Sequence, residues 1–217
     1  MTEANVKSLI ADLGLSFADS MNHRLLLLVE GDDDAAVWNS WFATFGMSSD
    51  CIAIDTRGFT NIGFYAESDF LRNLNVRPTV CSSLDGDTRN KAKAGAIAEA
   101  NARNVAKDFG GIAFTLEREC IDDYVLVPKV LARAWGREES AIVSSIEGFR
   151  RDWATRVASG KPIAVESKWV LDRLYPEFAG SDASPESIRR VAKSMLESEF
   201  PIEIKNRIAE LRALSRP

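Results

Sequence analysis

The feature that most constrains this chain is an apolar run that ends abruptly in acid. Residues 25–29 read LLLLV, and Glu30, Gly31 and three aspartates follow at once. Five consecutive apolar residues, without the alternation of a half-exposed strand, predict a strand covered on both faces, as in a parallel sheet. The acidic residues then lie at the carboxyl end of that strand, which is the edge at which open α/β sheets bind ligands.

Strand and helix patterns alternate through the first half of the chain. Apolar segments predict further strands, and periodic segments between them predict helices. The predicted strands cover 25–29, 51–56, 77–87 and 111–116, and the predicted helices cover 5–18, 34–46, 59–74 and 88–108. This alternation predicts an α/β fold with a parallel sheet of about four strands, flanked by helices and joined by right-handed crossovers.

After residue 117 the pattern becomes helical. Pro128 suits a first helical residue and Gly136 a stop, and Ser184 with Pro185 suits the start of a later helix. Further helices are predicted at 139–159, 165–175, 186–198 and 202–214. We therefore predict an α/β domain over residues 1–136, including the N-terminal helix, and a helical C-terminal region over residues 137–217.

The charge is unevenly spread along the chain, and its cysteine, histidine and apolar content exclude some classes of protein. Residues 1–146 hold 14 Lys and Arg against 21 Asp and Glu, whereas residues 147–217 hold 13 against 11. Three cysteines without a CxxC pair predict reduced thiols in a cytoplasmic protein. A single histidine excludes chemistry that needs two, and no apolar run approaches the length of a membrane span.

Carboxylates cluster at the predicted ends of three strands. Glu30 and Asp34 follow the first strand, and Asp85 and Asp87 end the third. A third group follows the fourth strand, and it consists of Glu117, Glu119, Asp122 and Asp123. Taken alone, EGDDD could be a turn with Asp32 or Asp33 as a helix N-cap, DGD a simple turn, and LERECIDDY an acidic helix start. The ordered combination favours a site, and at least four carboxylates converge if the first and third strands are neighbours.

A cleft with several carboxylates either raises their pKa values or recruits a cation. Oxygen ligands with no histidine or cysteine among them suit hard ions, so we expect Mg²⁺ or Mn²⁺. Phosphoryl transfer is the chemistry that such a cluster serves best, because a bound metal can activate water and a second can stabilise the leaving oxygen.

These motifs resemble the Toprim domain, the topoisomerase–primase catalytic fold. The motifs are LLLLVEGDDDAAVW, DTRGFTNI, SSLDGDTR and LERECIDDYVLVP, and they span residues 24–127. Among Toprim proteins, they most resemble the overcoming-lysogenisation-defect (OLD) nucleases and the stand-alone Toprim nucleases of phage defence. The resemblance implies that Glu30 and Asp34 form one half of a metal site, with Glu30 a ligand or a general acid/base. Asp85 and Asp87 hold Mg²⁺ in the other half.

Two assignments stay open within the resemblance. The family has Glu-Asn-Tyr where this chain has Asp122-Asp123-Tyr124, so either Glu119 or Asp122 can be the further ligand. A downstream family lysine is matched by Lys168 in ESKWVLDRL, with Lys161 in SGKP as the alternative, and it would contact the scissile phosphate. Gly58 and Asn61 resemble a family turn near the site.

The resemblance implies a Mg²⁺-dependent endonuclease acting on DNA or RNA in antiviral defence. OLD nucleases join Toprim to an ATPase, and this sequence holds no GxxxxGK[ST] motif, so a separate ATPase chain is an expected partner. We expect no membrane association, and a homo-oligomer remains open.

Three other classes of protein fit parts of the pattern. A receiver-like phospho-acceptor domain shares the early acidic residues, but no lysine ends a fifth strand. A haloacid-dehalogenase phosphatase needs DxDx[TV] after its first strand, and DGDTR places Thr88 one residue early. A non-catalytic regulatory subunit stays an alternative that the carboxylates disfavour.

Overall fold

The computed structural model describes residues 23–58, 78–87, 92–160 and 163–216. The predicted helices at 5–18 and 59–74 lie outside the described residues, as do Asn61, Thr88 and Lys161.

The sheet has four parallel strands in the order β2-β1-β3-β4. Their bounds are Leu25–Val29 for β1, Cys51–Asp55 for β2, Thr79–Leu84 for β3 and Ala113–Thr115 for β4. Strand β1 pairs with β2 on one side and with β3 on the other, in parallel register. The first and third strands are therefore neighbours, which was the condition for the carboxylates to converge, and β1 lies where the strand order reverses.

Strand β1 is buried on both faces, as its composition predicts. Leu25, Leu27 and Val29 belong to the large core on one face of the sheet. Leu26 and Leu28 belong to a smaller core on the other face. A strand without any exposed face needs apolar residues at every position, which explains why LLLLV does not alternate.

Eight α-helices occur in the described part of the chain. They are α1 Asp32–Thr44, α2 Ala92–Asp108, α3 Asp122–Val125, α4 Pro128–Trp135, α5 Glu139–Ala158, α6 Glu166–Leu174, α7 Pro185–Lys193 and α8 Ile202–Leu214. A π-helical turn spans Tyr175–Ala179, and a 3₁₀ turn spans Glu197–Glu199. The predicted α/β architecture with a helical C-terminal region is confirmed.

The predicted helix boundaries hold best where a residue has special backbone geometry. Pro128 is the first residue of α4, and Gly136 ends it in the left-handed region with φ 63°. Ser184 caps α7, because its hydroxyl accepts a hydrogen bond from the Ser187 backbone. The prediction that α7 extends to residue 198 is wrong: the helix ends at Lys193, and a separate 3₁₀ turn follows.

The C-terminal helices and the sheet share one hydrophobic core. Trp38 and Trp41 of α1 lie in that core together with Val191 of α7 and with Ile204 and Leu211 of α8. The division at residue 136 stays a prediction about the chain, but both of its parts contribute to this core. All three cysteines are buried free thiols. None of the helices described here combines the length and apolarity needed to cross a bilayer.

Candidate active site

Glu30 joins the ends of β1 and β3. It is the first residue after β1, and its Oε1 accepts a hydrogen bond from the Asp85 backbone N–H at 3.0 Å. Its backbone carbonyl accepts a second bond from the N–H of Gly58, at 2.7 Å, in the turn after β2. Arg57 and Gly58 both have positive φ, 56° and 116°, which lets this turn fold back towards Glu30. Gly58 thus lies beside the site, as the resemblance implies.

Asp34 is fixed at the first turn of α1. Its Oδ2 accepts a hydrogen bond from the Gly31 backbone N–H at 3.1 Å. The N-cap of α1 is Gly31, so the alternative that Asp32 or Asp33 caps the helix is wrong. A side chain at Gly31 would bring its Cβ to 3.2 Å from Asp34 Oδ2. The glycine therefore lets the carboxylate fold back over the loop between β1 and α1.

The DGD segment after β3 lies directly against the segment after β4. The Gly86 N–H donates to the Arg118 carbonyl and the Asp87 N–H to the Glu119 carbonyl, both at 3.0 Å. A Cβ at Gly86 would lie 2.0 Å from the Arg118 oxygen, so only glycine permits this approach. The two segments extend the β3–β4 pairing beyond the strands, and they bring Asp85 towards Asp122.

A buried carboxylate of α8 holds the segment after β4 in place. Glu203 Oε1 accepts a hydrogen bond from the Glu117 N–H at 2.8 Å, and Oε2 accepts one from the Tyr124 hydroxyl. The same hydroxyl accepts a bond from the Arg118 N–H at 3.1 Å. Tyr124 is fully buried and Glu203 is only 9% exposed. This network fixes the turn that presents Asp122.

The carboxylates at this edge of the sheet lie within electrostatic range of one another. Burial, then Glu30 and Asp122, raise the pKa of Asp34 to about 8. Burial, then Asp34, Glu30 and Asp87, raise the pKa of Asp85 to about 9. The structure thus brings together Glu30, Asp34, Asp85, Asp87 and Asp122.

Asp122 and Glu119 occupy different environments. Asp122 is 8% exposed, and burial followed by the charge of Asp33 raises its pKa to about 6. Glu119 is exposed, and its backbone carbonyl is the group that contacts DGD. Of the two residues left open by the sequence, Asp122 is the one whose side chain faces the cluster.

Lys168 of α6 faces the same cleft. Partial burial alone would lower its pKa, but Asp122, Asp33 and Asp172 outweigh burial and raise it. The ammonium is therefore charged near neutral pH, within electrostatic range of carboxylates on three helices, α1, α3 and its own α6. The C-terminal region thus contributes a cation to a site whose acids come from the α/β part.

The donor set fits a hard cation in its chemistry. Its members are carboxylates, and the nearby Cys120 thiol stays protonated because burial and then Asp122 raise its pKa. Within the part of the chain that the structure describes, no three Asp, Glu, Cys or His side chains form a group arranged to hold a metal ion. A divalent cation would therefore draw these carboxylates together, and its charge would offset their repulsion.

Two residues of the site were missed by the sequence interpretation. Asp33 interacts electrostatically with both Lys168 and Asp122, so it belongs to the cleft, although it was expected only to cap α1 or adjust the local field. Glu203 reaches the site from α8, 86 residues after its partner Glu117. Three consecutive aspartates gave a signal for Asp33, but no local pattern marks Glu203.

No protein-family model matches the chain, and no curated protein matches it. Solved structures do match. The C-terminal region of the Xanthomonas campestris pv. campestris OLD protein matches with TM-score 0.51 and 14% identity, over 91% of this chain and 96% of that one. The chain has the fold of an OLD C-terminal region. The equivalent region of the Burkholderia pseudomallei OLD protein is a weaker match, with TM-score 0.44 and 14% identity, over 89% and 99% of the two chains.

The OLD-like resemblance stated from the motifs is thus confirmed at the level of the fold. The match extends over the helical C-terminal region as well as the sheet, because it covers nine tenths of this chain. The sequence motifs themselves end near residue 127.

Proposed function

We propose that this chain is a Mg²⁺- or Mn²⁺-dependent nuclease that hydrolyses phosphodiester bonds of DNA or RNA. The observation that carries the proposal is that Glu30, Asp34, Asp85 and Asp122 lie within electrostatic range of one another, with Lys168 within range of Asp122. The cleft lies at the carboxyl ends of β1 and β3, where the strand order reverses and open α/β sheets bind their ligands. The OLD fold and the Toprim-like motifs support the same chemistry.

The residues would divide the work as follows. A cation held by Asp34, Asp85, Asp87 and Asp122 would supply Lewis acidity and an activated water. Glu30, fixed to the Asp85 backbone, is positioned to move a proton at the reacting oxygen or to complete the ligand set. The charged ammonium of Lys168 would contact the scissile phosphate and stabilise the negative charge that develops there.

The structure also favours hydrolysis over a receiver-like role. A phospho-acceptor domain needs one reactive carboxylate, whereas here Asp85 has Asp34, Glu30, Asp87 and Asp122 within electrostatic range. A phosphate bound covalently to Asp85 would add further negative charge to this cluster. A diffusible cation between substrate and carboxylates avoids that repulsion.

The test is cleavage by the purified chain. Plasmid DNA, linear DNA and RNA should be nicked or cut in Mg²⁺ or Mn²⁺ but not in EDTA. Asp85→Ala and Glu30→Gln should lower the rate at least about 100-fold, since each removes a group that acts on the reacting phosphate. Asp50→Asn is the matched control, because Asp50 precedes β2 at the opposite edge of the sheet, where it forms an ion pair with Arg24 and accepts a hydrogen bond from the Ser49 hydroxyl. Equal cutting by wild type and both cleft variants would refute the assignment.

We further propose that the nuclease acts in the cytoplasm, in phage defence, together with a separate ATPase chain. The support is the OLD-like fold together with the Toprim-like motifs, which resemble those of nucleases that work with an ATPase. Co-expression with the ATPase of a neighbouring gene should yield a complex that protects cells against phage. Protection that persists with Asp85→Ala would show that defence does not depend on cleavage.

A further inference from the structure

A second concave site lies on the helical part of the chain. An open cavity of about 650 Å³ is lined by the end of α4, the π-helical turn, the loop after that turn, and α7. This volume lies in the usual range of small-molecule pockets, and it is several times larger than a phosphate ion needs. None of the carboxylates of the candidate active site lines this cavity.

The cavity carries two cations without ion-pair partners. Arg190 and Lys193 both line it, and among the described residues neither makes a salt bridge to an acid. The contrast lies one residue away, where Arg189 is paired with Glu186 at 2.6 Å. Glu186 is the acid of the lining, and that pairing offsets its charge. The cavity therefore presents two uncompensated positive charges to an occupant.

The rest of the cavity is lined by an aromatic ring and by serine hydroxyl groups. Trp135 forms a rigid wall, since its ring packs edge-on against Tyr175 at 5.4 Å and parallel to Phe178 at 6.2 Å between centroids. Ser184 and Ser187, whose hydroxyls lie 3.1 Å apart, border the opposite side. A small apolar wall, a few hydroxyls and two cations suit a ligand with a planar apolar part and an anionic group.

We propose that this cavity binds the phosphoryl group of a nucleotide unit, with Arg190 and Lys193 as its anion-binding residues. The unit is either a free mononucleotide or part of a nucleic-acid strand. The site is separate from the nuclease cleft but close to it. Tyr175 links the two, because its ring packs on Trp135. Burial, and then the charges of Asp122 and Asp33 in the cleft, raise the pKa of the Tyr175 hydroxyl.

The experiment measures binding by titration calorimetry of the whole chain in EDTA, so that cleavage plays no part. The probes are adenosine 5′-monophosphate, adenosine, inorganic phosphate and a single-stranded DNA hexanucleotide. Adenosine 5′-monophosphate should bind at least about 10-fold more tightly than adenosine or phosphate, because only it offers both parts. A double variant Arg190→Gln, Lys193→Gln should weaken this binding at least about 10-fold, because it removes both charged donors.

Arg151→Gln is the matched control, because Arg151 is an exposed arginine of α5 that does not line the cavity, and it should leave binding within about 2-fold of wild type. Asp85→Ala should also bind normally, which separates this site from the nuclease cleft and keeps its failure distinguishable from that of the proposed function. Hexanucleotide binding that is lost in the double variant, without mononucleotide binding, would assign the phosphoryl group to a strand. The proposal is overturned if neither nucleotide probe binds, if the double variant binds as wild type does, or if Arg151→Gln weakens binding equally.

Discussion

Replacing Glu203 by alanine tests how firmly the C-terminal helices hold the active-site segment. The change removes the acceptor of the Glu117 N–H and of the Tyr124 hydroxyl. A hydrogen bond to a charged group contributes about 1.5–3 kcal/mol, so the pair sets an upper range of about 3–6 kcal/mol. Glu117 is exposed, so water can replace Glu203 as the acceptor of its N–H. We therefore expect a loss at the lower end of this range, about 3 kcal/mol in the free energy of unfolding.

The assay is urea unfolding, supported by thermal melting. A loss of about 3 kcal/mol should lower the melting temperature by about 6–12 °C in a chain of this size. Glu203→Gln keeps an acceptor oxygen and should cost about 1 kcal/mol. Glu210→Ala is the control on the same helix, because Glu210 is exposed and forms a surface ion pair with Arg207; it should change stability by less than about 0.5 kcal/mol.

A double-mutant cycle with Tyr124→Phe isolates the buried part of the network. The two residues share a hydrogen bond, so their effects should be non-additive by about 1 kcal/mol or more. Two results would refute the reasoning: a loss below about 1 kcal/mol in Glu203→Ala, or strictly additive effects in the cycle.

Three further predictions concern the cleft. Without divalent cations, the free energy of unfolding should fall as pH rises from about 4 to about 9. The reason is that the folded chain keeps protons on Asp34 (pKa about 8) and Asp85 (pKa about 9), whereas the unfolded chain loses them near pH 4. Mg²⁺ should flatten this pH dependence in melting curves, and an unchanged slope would count against cation binding. Gly86→Ala should cost about 2 kcal/mol in urea unfolding, because its Cβ would force apart the segments after β3 and β4, and normal stability would contradict that close approach. Asp122→Asn should lower the cleavage rate at least about 10-fold while Glu119→Gln leaves it near wild type, and the reverse order would exchange their roles.

The central part of the fold could be predicted because its signals are local. The LLLLV run of β1 has no polar residue, so a strand buried on both faces is the arrangement that its composition favours. In a parallel sheet, the carboxyl ends of neighbouring strands share an edge, so Glu30 and Asp85 could be expected together once both strands were recognised. The structure places them there, joined by a hydrogen bond.

Other features could not be predicted because they depend on contacts distant in sequence. Gly86 looks like an ordinary turn residue in DGD, and only the close approach of the Arg118 carbonyl explains why a glycine is needed. The end of α7 at Lys193 was missed because the apolar pattern continues past it to Met195 and Leu196. Met195 is buried in line with the helical spacing of Val191 and Ala192, so no local signal marks the end of α7 at Lys193.

The acidic and basic parts of the chain contribute different groups to the cleft. The acidic N-terminal part supplies Asp34 and Asp85, whose pKa values are raised first by burial and then by neighbouring carboxylates; a bound cation would offset that repulsion. The C-terminal part supplies Lys168, whose ammonium is stabilised by Asp122 and Asp33 and opposed by burial. It also supplies Glu203, which holds the segment that presents Asp122. The helical region is therefore a component of the site, since the α/β part alone would hold like charges without their cation and without the support of Glu203.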